Sequence, residues 1–576
     1  MSTVAESIVA ALAGQGVRSV WGVVGDALNP LTDAIRRQED IEWIGVRHEE
    51  AGAFAASAQA QLTGELAVCM GTVGPGSIHL LNGLYDAKKS HAPVLAICGQ
   101  VPLAHLGTDF FQEIDNDALF ADVAVFRHTV VSPAQLPGLL ERAIQSALVQ
   151  RGVAVLTLPG DVGGEDMPRG APDARFVSAP ARVVPDSAAV QAAADRIDAA
   201  ASVAMLVGVG ARDARDDVLA LAQTLSAPMV LTLKAKDGFD HDNPFQVGQT
   251  GLIGNPAARH ALEAAELLLM LGTDFPYTDW YPSGKTVVQV DERGAHIGRR
   301  TAVDVGVVGD VGLTVASLLD RVSAKPDRSQ LDDARDRYAS WRADQRKLAD
   351  PGHDSRGIVG RVRSKFDNPD DRIRPEAVAV AIDAHAADDA IFTSDTGMST
   401  VWLSRFVELT GTRRLVGSYN LGSMANAMPQ ALGAQALDRS RQVIAFCGDG
   451  GLTMLLGDLI TAVTHELPVR IVVFDNGRLG MVKLEQEQGG LPEFGTTLEN
   501  PDLAGVARAL GLHGVRVEDA DALDEAVREA LAHPGPVLLD VLTNPNEISL
   551  PPKVKLGEGW GFAIAKVTEE LDSRRA

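Results

Sequence analysis

Short apolar runs rich in β-branched residues recur along the chain, separated by stretches with helical spacing. Residues 1–175 carry "SVWGVVG", "IEWIGVR", "ELAVCMGTVGPG", "APVLAICGQ" and "GVAVLTLPGDV". Residues 185–325 carry "SVAMLVGVGAR", "APMVLTL", "ELLLMLGTDFPY" and "TVVQVDERGAHIG". A third block of the same kind spans 373–545. Strand-like runs alternating with helical ones predict an α/β protein of three doubly wound domains with mostly parallel sheets. Between the first two blocks, "GGEDMPRGAPDARFVSAPARVVPD" reads as a linker. The charged segment 326–372 reads as a second linker, helical at first and then loop-like, and 546–576 as a C-terminal tail. No short repeat is present, and the first and third blocks resemble each other only as a class of fold.

Within the third block, "RQVIAFCGDGGLTMLLGDLITAVTHELPVRIVVFDNGRLG" (residues 441–480) is a strand–helix–strand unit, with "LTMLLGDLITAVTHE" as the expected helix. Such crossovers leave the two strands parallel. Gly448-Asp449-Gly450-Gly451 and Asp475-Asn476-Gly477 therefore fall at one carboxyl edge, where open α/β sheets bind ligands. Asp449 and Asn476 can converge there. One carboxylate and one amide oxygen make a partial cage of the kind Mg²⁺ accepts when phosphate and water complete its shell. The glycines allow close backbone approach, and the following helix N-terminus favours phosphate. The chemistry suggested is a Mg-bound diphosphate; the alternative is that both residues only make turns.

Other patterns are less specific. In "RHEEAGAFAASAQA" a strand ends at Arg47 and an Ala-rich helix starts near Glu49, which suits either a catalytic carboxylate or an acid favoured by the helix dipole. "GPG" from Gly74 is an amide cradle or a tight turn. "DFFQEIDNDALFADV" puts Phe110, Phe111 and Gln112 in a polar loop, facing substrate or packed inward. "LVGVGAR" has Gly-x-Gly without the full dinucleotide pattern. The acids that end "LGTDFPY" and "VVQVDERGAHIG" hold a ribose hydroxyl or cap the next helix.

Composition narrows the classes. With 76 acidic against 52 basic residues the net charge is −24, which argues against a nucleic-acid partner. Cys69, Cys98 and Cys447 sit in apolar runs with neither metal spacing nor a disulfide pattern, as expected of a cytoplasmic protein. The N-terminus reads as an amphipathic helix rather than a signal peptide, and no apolar run reaches the roughly 18 residues that would span a bilayer.

"GDGG…FDN" together with "RHEEAGAFAA" resembles the thiamine diphosphate-dependent enzymes. "GLIG", "LGTDFPY", "AHIGRR", "VWLSRF", "GSMANAMPQALGAQA" and "EISLPPKVKL" are most similar to the flavin-binding branch of pyruvate oxidases and pyruvate:quinone oxidoreductases. The resemblance covers almost the whole chain. It implies pyrimidine-binding, FAD-binding and diphosphate-binding domains in that order, and a homo-oligomer, at least a dimer and usually a tetramer. It implies thiamine diphosphate, Mg²⁺ and FAD as cofactors, pyruvate as substrate and a quinone as acceptor. Asp449 and Asn476 match the metal ligands, with the backbone carbonyl of Arg478 as a third. Gly448, Gly450 and Gly451 match the diphosphate turn, and Gly397 and Gly422 join them as cofactor-binding positions. Met424 matches the residue that props the cofactor, and Glu49 the glutamate that hydrogen-bonds its aminopyrimidine. Thr250, Gly251, Gly254, Gly272, Asp274, Phe275 and Asp291 match flavin contacts. Phe111, Gln112 and Met481 join Glu49 as candidate catalytic residues.

The implied reaction is oxidative decarboxylation of pyruvate to acetate and CO₂, with electrons passing through FAD to a quinone. Departures from the branch touch the substrate side. Leu421 replaces an expected His, Ile114-Asp115 an expected Thr-His, Ala235 a Gly and Met481 an aromatic. The segment 352–372 is longer and the tail shorter than in membrane-activated relatives, so membrane contact is at most peripheral. The competing enzymatic reading is an acetolactate synthase-like carboligase or a 2-keto acid decarboxylase with non-redox or absent flavin. Retention of Glu49, Asp449 and Asn476 together speaks against a scaffold that has lost catalysis.

Overall fold

The computed structural model describes residues 2–170, 172, 174, 181–350, 353, 368 and 371–547. Most of the expected first linker's centre, most of 351–370 and the tail from 548 lie outside the described residues.

Each apolar run becomes a strand of one of three six-stranded sheets, and every strand pairing in them is parallel. The first sheet holds β1 (Ser19–Gly22), β2 (Glu42–Gly45), β3 (Ala67–Gly71), β4 (Val94–Gln100), β5 (Ala124–Thr129) and β6 (Val153–Pro159), ordered β2-β1-β3-β4-β6-β5. The second holds β7 (Val203–Val207), β8 (Met229–Leu231), β9 (Gln246–Gln249), β10 (Leu267–Leu271), β11 (Thr286–Asp291) and β12 (Val305–Val308), ordered β12-β11-β10-β7-β8-β9. The third holds β13 (Ile391–Ser394), β14 (Arg414–Gly417), β15 (Val443–Gly448), β16 (Arg470–Asp475), β17 (His513–Val517) and β18 (Val537–Leu542), ordered β14-β13-β15-β16-β18-β17.

Strand order fixes where ligands go, because crevices open where it reverses. Those points are β1/β3 in the first sheet, β7/β10 in the second and β13/β15 in the third. The third sheet repeats the first strand for strand, a closer likeness than the shared fold class expected from sequence. The second, read from its other edge, has the order of dinucleotide-binding sheets.

The first and third sheets are joined by two helices, Glu49–Thr63 and Ala427–Leu437. The first is buried on nearly all sides because alanines face the neighbouring layers. Its partner approaches so closely that a Cβ on Gly433 would lie 2.2 Å from the Ala55 carbonyl oxygen. Gln59 Nε2 donates to the Gly433 carbonyl at 3.1 Å across the seam.

Two expectations need correction. "LTMLLGDLITAVTHE" is not one helix: it breaks into Asp449–Met454, a 3₁₀ turn Leu456–Asp458 and Leu459–Thr464. The break lets Asp458 Oδ1 accept from the Arg47 backbone N–H of the first domain at 2.7 Å and from Thr461 Oγ1 at 2.9 Å. The charged segment after 326 is also more than a linker. Its helix Ser329–Leu348 docks on the second domain through buried Leu331 and Ala334.

Candidate active site

The cradle at the third sheet is built by register. Gly448 pairs with Phe474, so Asp449 and Asp475 leave adjacent strands side by side. They are only 2% and 8% exposed. Asp449 Oδ1 accepts from the Gly450 N–H at 2.9 Å, and its Oδ2 from the Gly477 N–H at 2.8 Å and from Asn500 Nδ2 at 2.7 Å. Burial, and then the Asp475 carboxylate, push the Asp449 carboxyl up to about 7. Asn476 Oδ1 accepts from the Arg478 N–H at 3.0 Å, while the Arg478 guanidinium turns to Glu493 at 2.7 Å. A cation is what two buried, adjacent carboxylates lack.

The floor comes from the β13 end. Gly397, at φ 144°, and Gly448 face open space, so backbone alone borders the crevice there. A Cβ on Gly450 would meet Leu479, Leu498 and Met424, and one on Gly451 would lie 2.3 Å from Asp395 Oδ2. Met424 is thus brought against the glycine turn. Gly422 takes a positive φ of 80° in the loop before it. Asp395 is fully enclosed; one of its oxygens accepts from the Ala427 N–H at 2.9 Å, the other has no partner, and burial pushes the carboxyl up to about 7.

Glu49 sits in a second cluster, at the β1/β3 switch point. His48 caps the helix Glu49–Thr63, its Nδ1 accepting from the Glu50 N–H at 3.2 Å. Glu49 is 7% exposed, and its Oε2 lies 2.9 Å from His79 Nδ1. The His48 and His79 rings stack at 4.4 Å. A Cβ on Gly76 would come within 3.1 Å of Glu49 Oε1, so the "GPG" turn presses on this carboxylate. Gln112, at φ 67°, closes over Gly74, whereas Phe111 points outward and is 79% exposed. Asp115 is a helix cap, accepting from the Ala118 N–H at 2.9 Å. Met481 is partly buried on the third domain's core, and Leu421 is half-buried.

At the β7/β10 switch point lies a cavity of about 300 Å³, bordered by all three domains. Gly208, Gly210 and Gly272 let its two loops touch: a Cβ on Gly208 would lie 2.2 Å from the Gly272 oxygen, and one on Gly272 (φ 55°) 2.8 Å from Gly210. The lining balances five cations, Arg151, Arg182, Arg212, Arg293 and Lys234, against five acids, Asp213, Asp274, Asp291, Glu292 and Asp310. Arg182 pairs with Asp310 at 2.6 Å, and Arg212 with Asp237 at 3.0 Å. Of the residues expected here, Gly272, Asp274 and Asp291 line the cavity. Asp274 is not free: it pairs with Lys234 Nζ at 3.0 Å and accepts from Asn420. Burial alone would raise the Asp274 carboxyl, but the Lys234 ammonium outweighs it and holds it at about 2. Thr250, Gly251, Gly254 and Phe275 stand outside the lining. They form a knot in which Gly251 packs on the Phe275 ring and the buried Thr250 hydroxyl has no partner.

Asn500, His79, Asp395, Lys234 and the cavity arginines Arg182, Arg212 and Arg293 are candidate-site residues that sequence reasoning did not single out. "ENP" at 499–501 reads only as a turn, and His79 lies within the "GPG" segment without any spacing to mark it.

Three family models match in chain order: the N-terminal thiamine pyrophosphate-binding domain over 2–119, the central domain of thiamine pyrophosphate enzymes over 190–318, and their C-terminal thiamine pyrophosphate-binding domain over 395–541. YdaP of Bacillus subtilis (strain 168) is 36% identical over 97% of this chain and 95% of its own length. Pyruvate oxidase of Lactiplantibacillus plantarum is 32% identical, covering 93% of this chain and 88% of its own length. The acetolactate synthase large subunit of Parasynechococcus marenigrum is 31% identical, covering 93% and 87%. Relatives matched along their length and three domain models in the order of the three sheets lead to one conclusion: the chain belongs to the thiamine pyrophosphate enzymes, a family that includes pyruvate oxidase.

Proposed function

We propose that the protein oxidatively decarboxylates pyruvate with thiamine diphosphate, Mg²⁺ and FAD, and passes the electrons to a quinone. The balance is pyruvate plus water plus quinone, giving acetate, CO₂ and quinol. The observation that carries the reading is the cavity at the dinucleotide-type switch point, bordered by close-set glycines and by arginines, in a chain whose third sheet already offers an acidic, glycine-floored cradle.

The residues present fit these groups. Asp449 Oδ1 keeps acceptor capacity beyond the Gly450 N–H, and Gly397 and Gly448 border open space. Asp449, Asn476 and the Arg478 carbonyl would hold Mg²⁺; Gly422, Gly448, Gly450 and Gly451 would border the diphosphate, with Met424 as the prop. Thiamine diphosphate supplies a carbon nucleophile and an electron sink for decarboxylation. Glu49 holds and returns a proton at its carboxylate, poised by His79 Nδ1 at 2.9 Å. Gln112 and Phe111 border the substrate side, and Met481 shapes it. FAD supplies two-electron acceptance. Arg182, Arg212 and Arg293 would face its phosphates and Asp291 its ribose.

Apolar side chains stand exposed at both thiamine edges: Val24, Ile78 and Phe111 on the first domain, Met454, Leu491 and Phe494 on the third. This supports a dimer in which one protomer's first domain faces its partner's third, and tetramers built from such dimers. Among the described residues no helix is long and apolar enough to cross a membrane, which is compatible with peripheral contact.

Acetolactate synthases matched along their length favour a second reading, a carboligase or 2-keto acid decarboxylase whose flavin is idle or absent. Anaerobic incubation with pyruvate and a soluble quinone separates the two. Acetate formed with one quinone reduced per pyruvate supports the oxidase; acetolactate or acetaldehyde with the quinone unchanged contradicts it.

A further inference from the structure

We propose that Asn500 is the positioning residue that presents Asp449 to the cation, by clasping it to Asp475; this rests on the Mg²⁺ reading of the third-sheet cradle.

Asn500 Nδ2 lies 2.7 Å from Asp449 Oδ2 and 2.7 Å from Asp475 Oδ1. An amide nitrogen carries two N–H groups, so it can serve both carboxylates at once. The reverse orientation would set a carbonyl oxygen against two carboxylate oxygens, so the contacts fix which end of the amide faces the acids. Lone-pair accounting then gives Asn500 its role. Oδ2 of Asp449 is filled by the Gly477 and Asn500 donors, whereas Oδ1 takes only the Gly450 N–H. The carboxylate is therefore held with Oδ1 as the oxygen that has capacity to spare. Without Asn500 the two carboxylates lose their shared donor, and Asp449 Oδ2 is held by the Gly477 N–H alone.

The clasp is held in place by its own loop. The Leu479 N–H donates to the Thr496 carbonyl at 2.8 Å, and the Leu498 N–H to the Gly477 carbonyl at 2.8 Å. The strand-end turn that carries Asn476 and Arg478 is thus stitched to the segment that carries Asn500. A partner one layer behind a ligand typically changes metal affinity about 10–100-fold when removed.

The test is titration calorimetry of MgCl₂ into metal-free protein saturated with thiamine diphosphate, for the wild type, Asn500→Ala and Asn500→Ser. The Mg²⁺ dissociation constant rises about 10–100-fold in Asn500→Ala and less in Asn500→Ser, whose hydroxyl has one donor. The serine variant also serves if the alanine variant does not fold. The unfolding midpoint of the metal-free proteins is followed in parallel: a merely structural role lowers that midpoint and leaves the Mg²⁺ constant where it was. Constants within about threefold of wild type in the folded variants overturn the clasp alone. A wild type that takes up no Mg²⁺ overturns the reading of the cradle, and the clasp with it.

Discussion

Asp395 and Glu49 are both acidic and both buried, yet their surroundings differ. Asp395 anchors the Ala427 N–H beneath Gly451 and leaves one oxygen unpartnered, with its carboxyl pushed up by burial to about 7. The folded protein therefore keeps a proton there that the unfolded chain releases above its ordinary value of 3.8. That group's contribution to stability falls as pH rises from about 4 to about 7, by about 1 kcal/mol per unit, and is constant above. Denaturant titrations of metal-free wild type and Asp395→Asn should show the difference moving in the variant's favour across that window; a difference independent of pH would contradict the assignment. Glu49→Gln keeps the shape but removes the carboxylate proposed to carry the proton. Turnover should fall by about 10²–10⁴-fold with circular dichroism unchanged, and full activity would remove Glu49 from the chemistry. Glu49, Asp449 and Asn476 were legible as candidates because strand ends and glycines mark them locally. Asn500 and His79 were not, since each acts on a residue far away in sequence and no local pattern records the contact.

The strands were readable for the same local reason: apolar β-branched runs have few alternatives to a buried sheet. Strand order was not, because it depends on how crossovers pack. That order turns three similar blocks into two thiamine-type sheets and one dinucleotide-type sheet. The helix expected across 452–466 failed where Gly457-Asp458 trades continuity for a hydrogen bond to Arg47. The seam between the first and third domains depends on small residues in the same way. Gly433→Ala places a methyl 2.2 Å from the Ala55 carbonyl oxygen, backbone that cannot swing aside. It should cost about 1–3 kcal/mol, read as a lower unfolding midpoint. An unchanged midpoint would mean the two helices have room to separate.

At the scale of the molecule, the proposed dimer would cover the apolar side chains exposed at the two thiamine edges, of which Phe494 is 85% exposed. If one protomer's Glu49 works with its partner's Asp449, Glu49→Gln and Asp449→Ala are each inactive, but co-refolded together they form mixed dimers with one intact site. Random mixing predicts about a quarter of wild-type activity. No recovery in verified mixed dimers would place both residues of a site in one chain. In the proposed reaction, the cavity at the β7/β10 switch point holds a flavin that takes electrons from pyruvate. The most direct measurement is the visible absorbance spectrum of the purified protein under anaerobic conditions, with Mg²⁺ and thiamine diphosphate present, before and after pyruvate is added. A flavin held there gives a band that bleaches on addition of pyruvate; a band that stays oxidised, or none in protein never stripped of cofactor, would contradict that electron transfer.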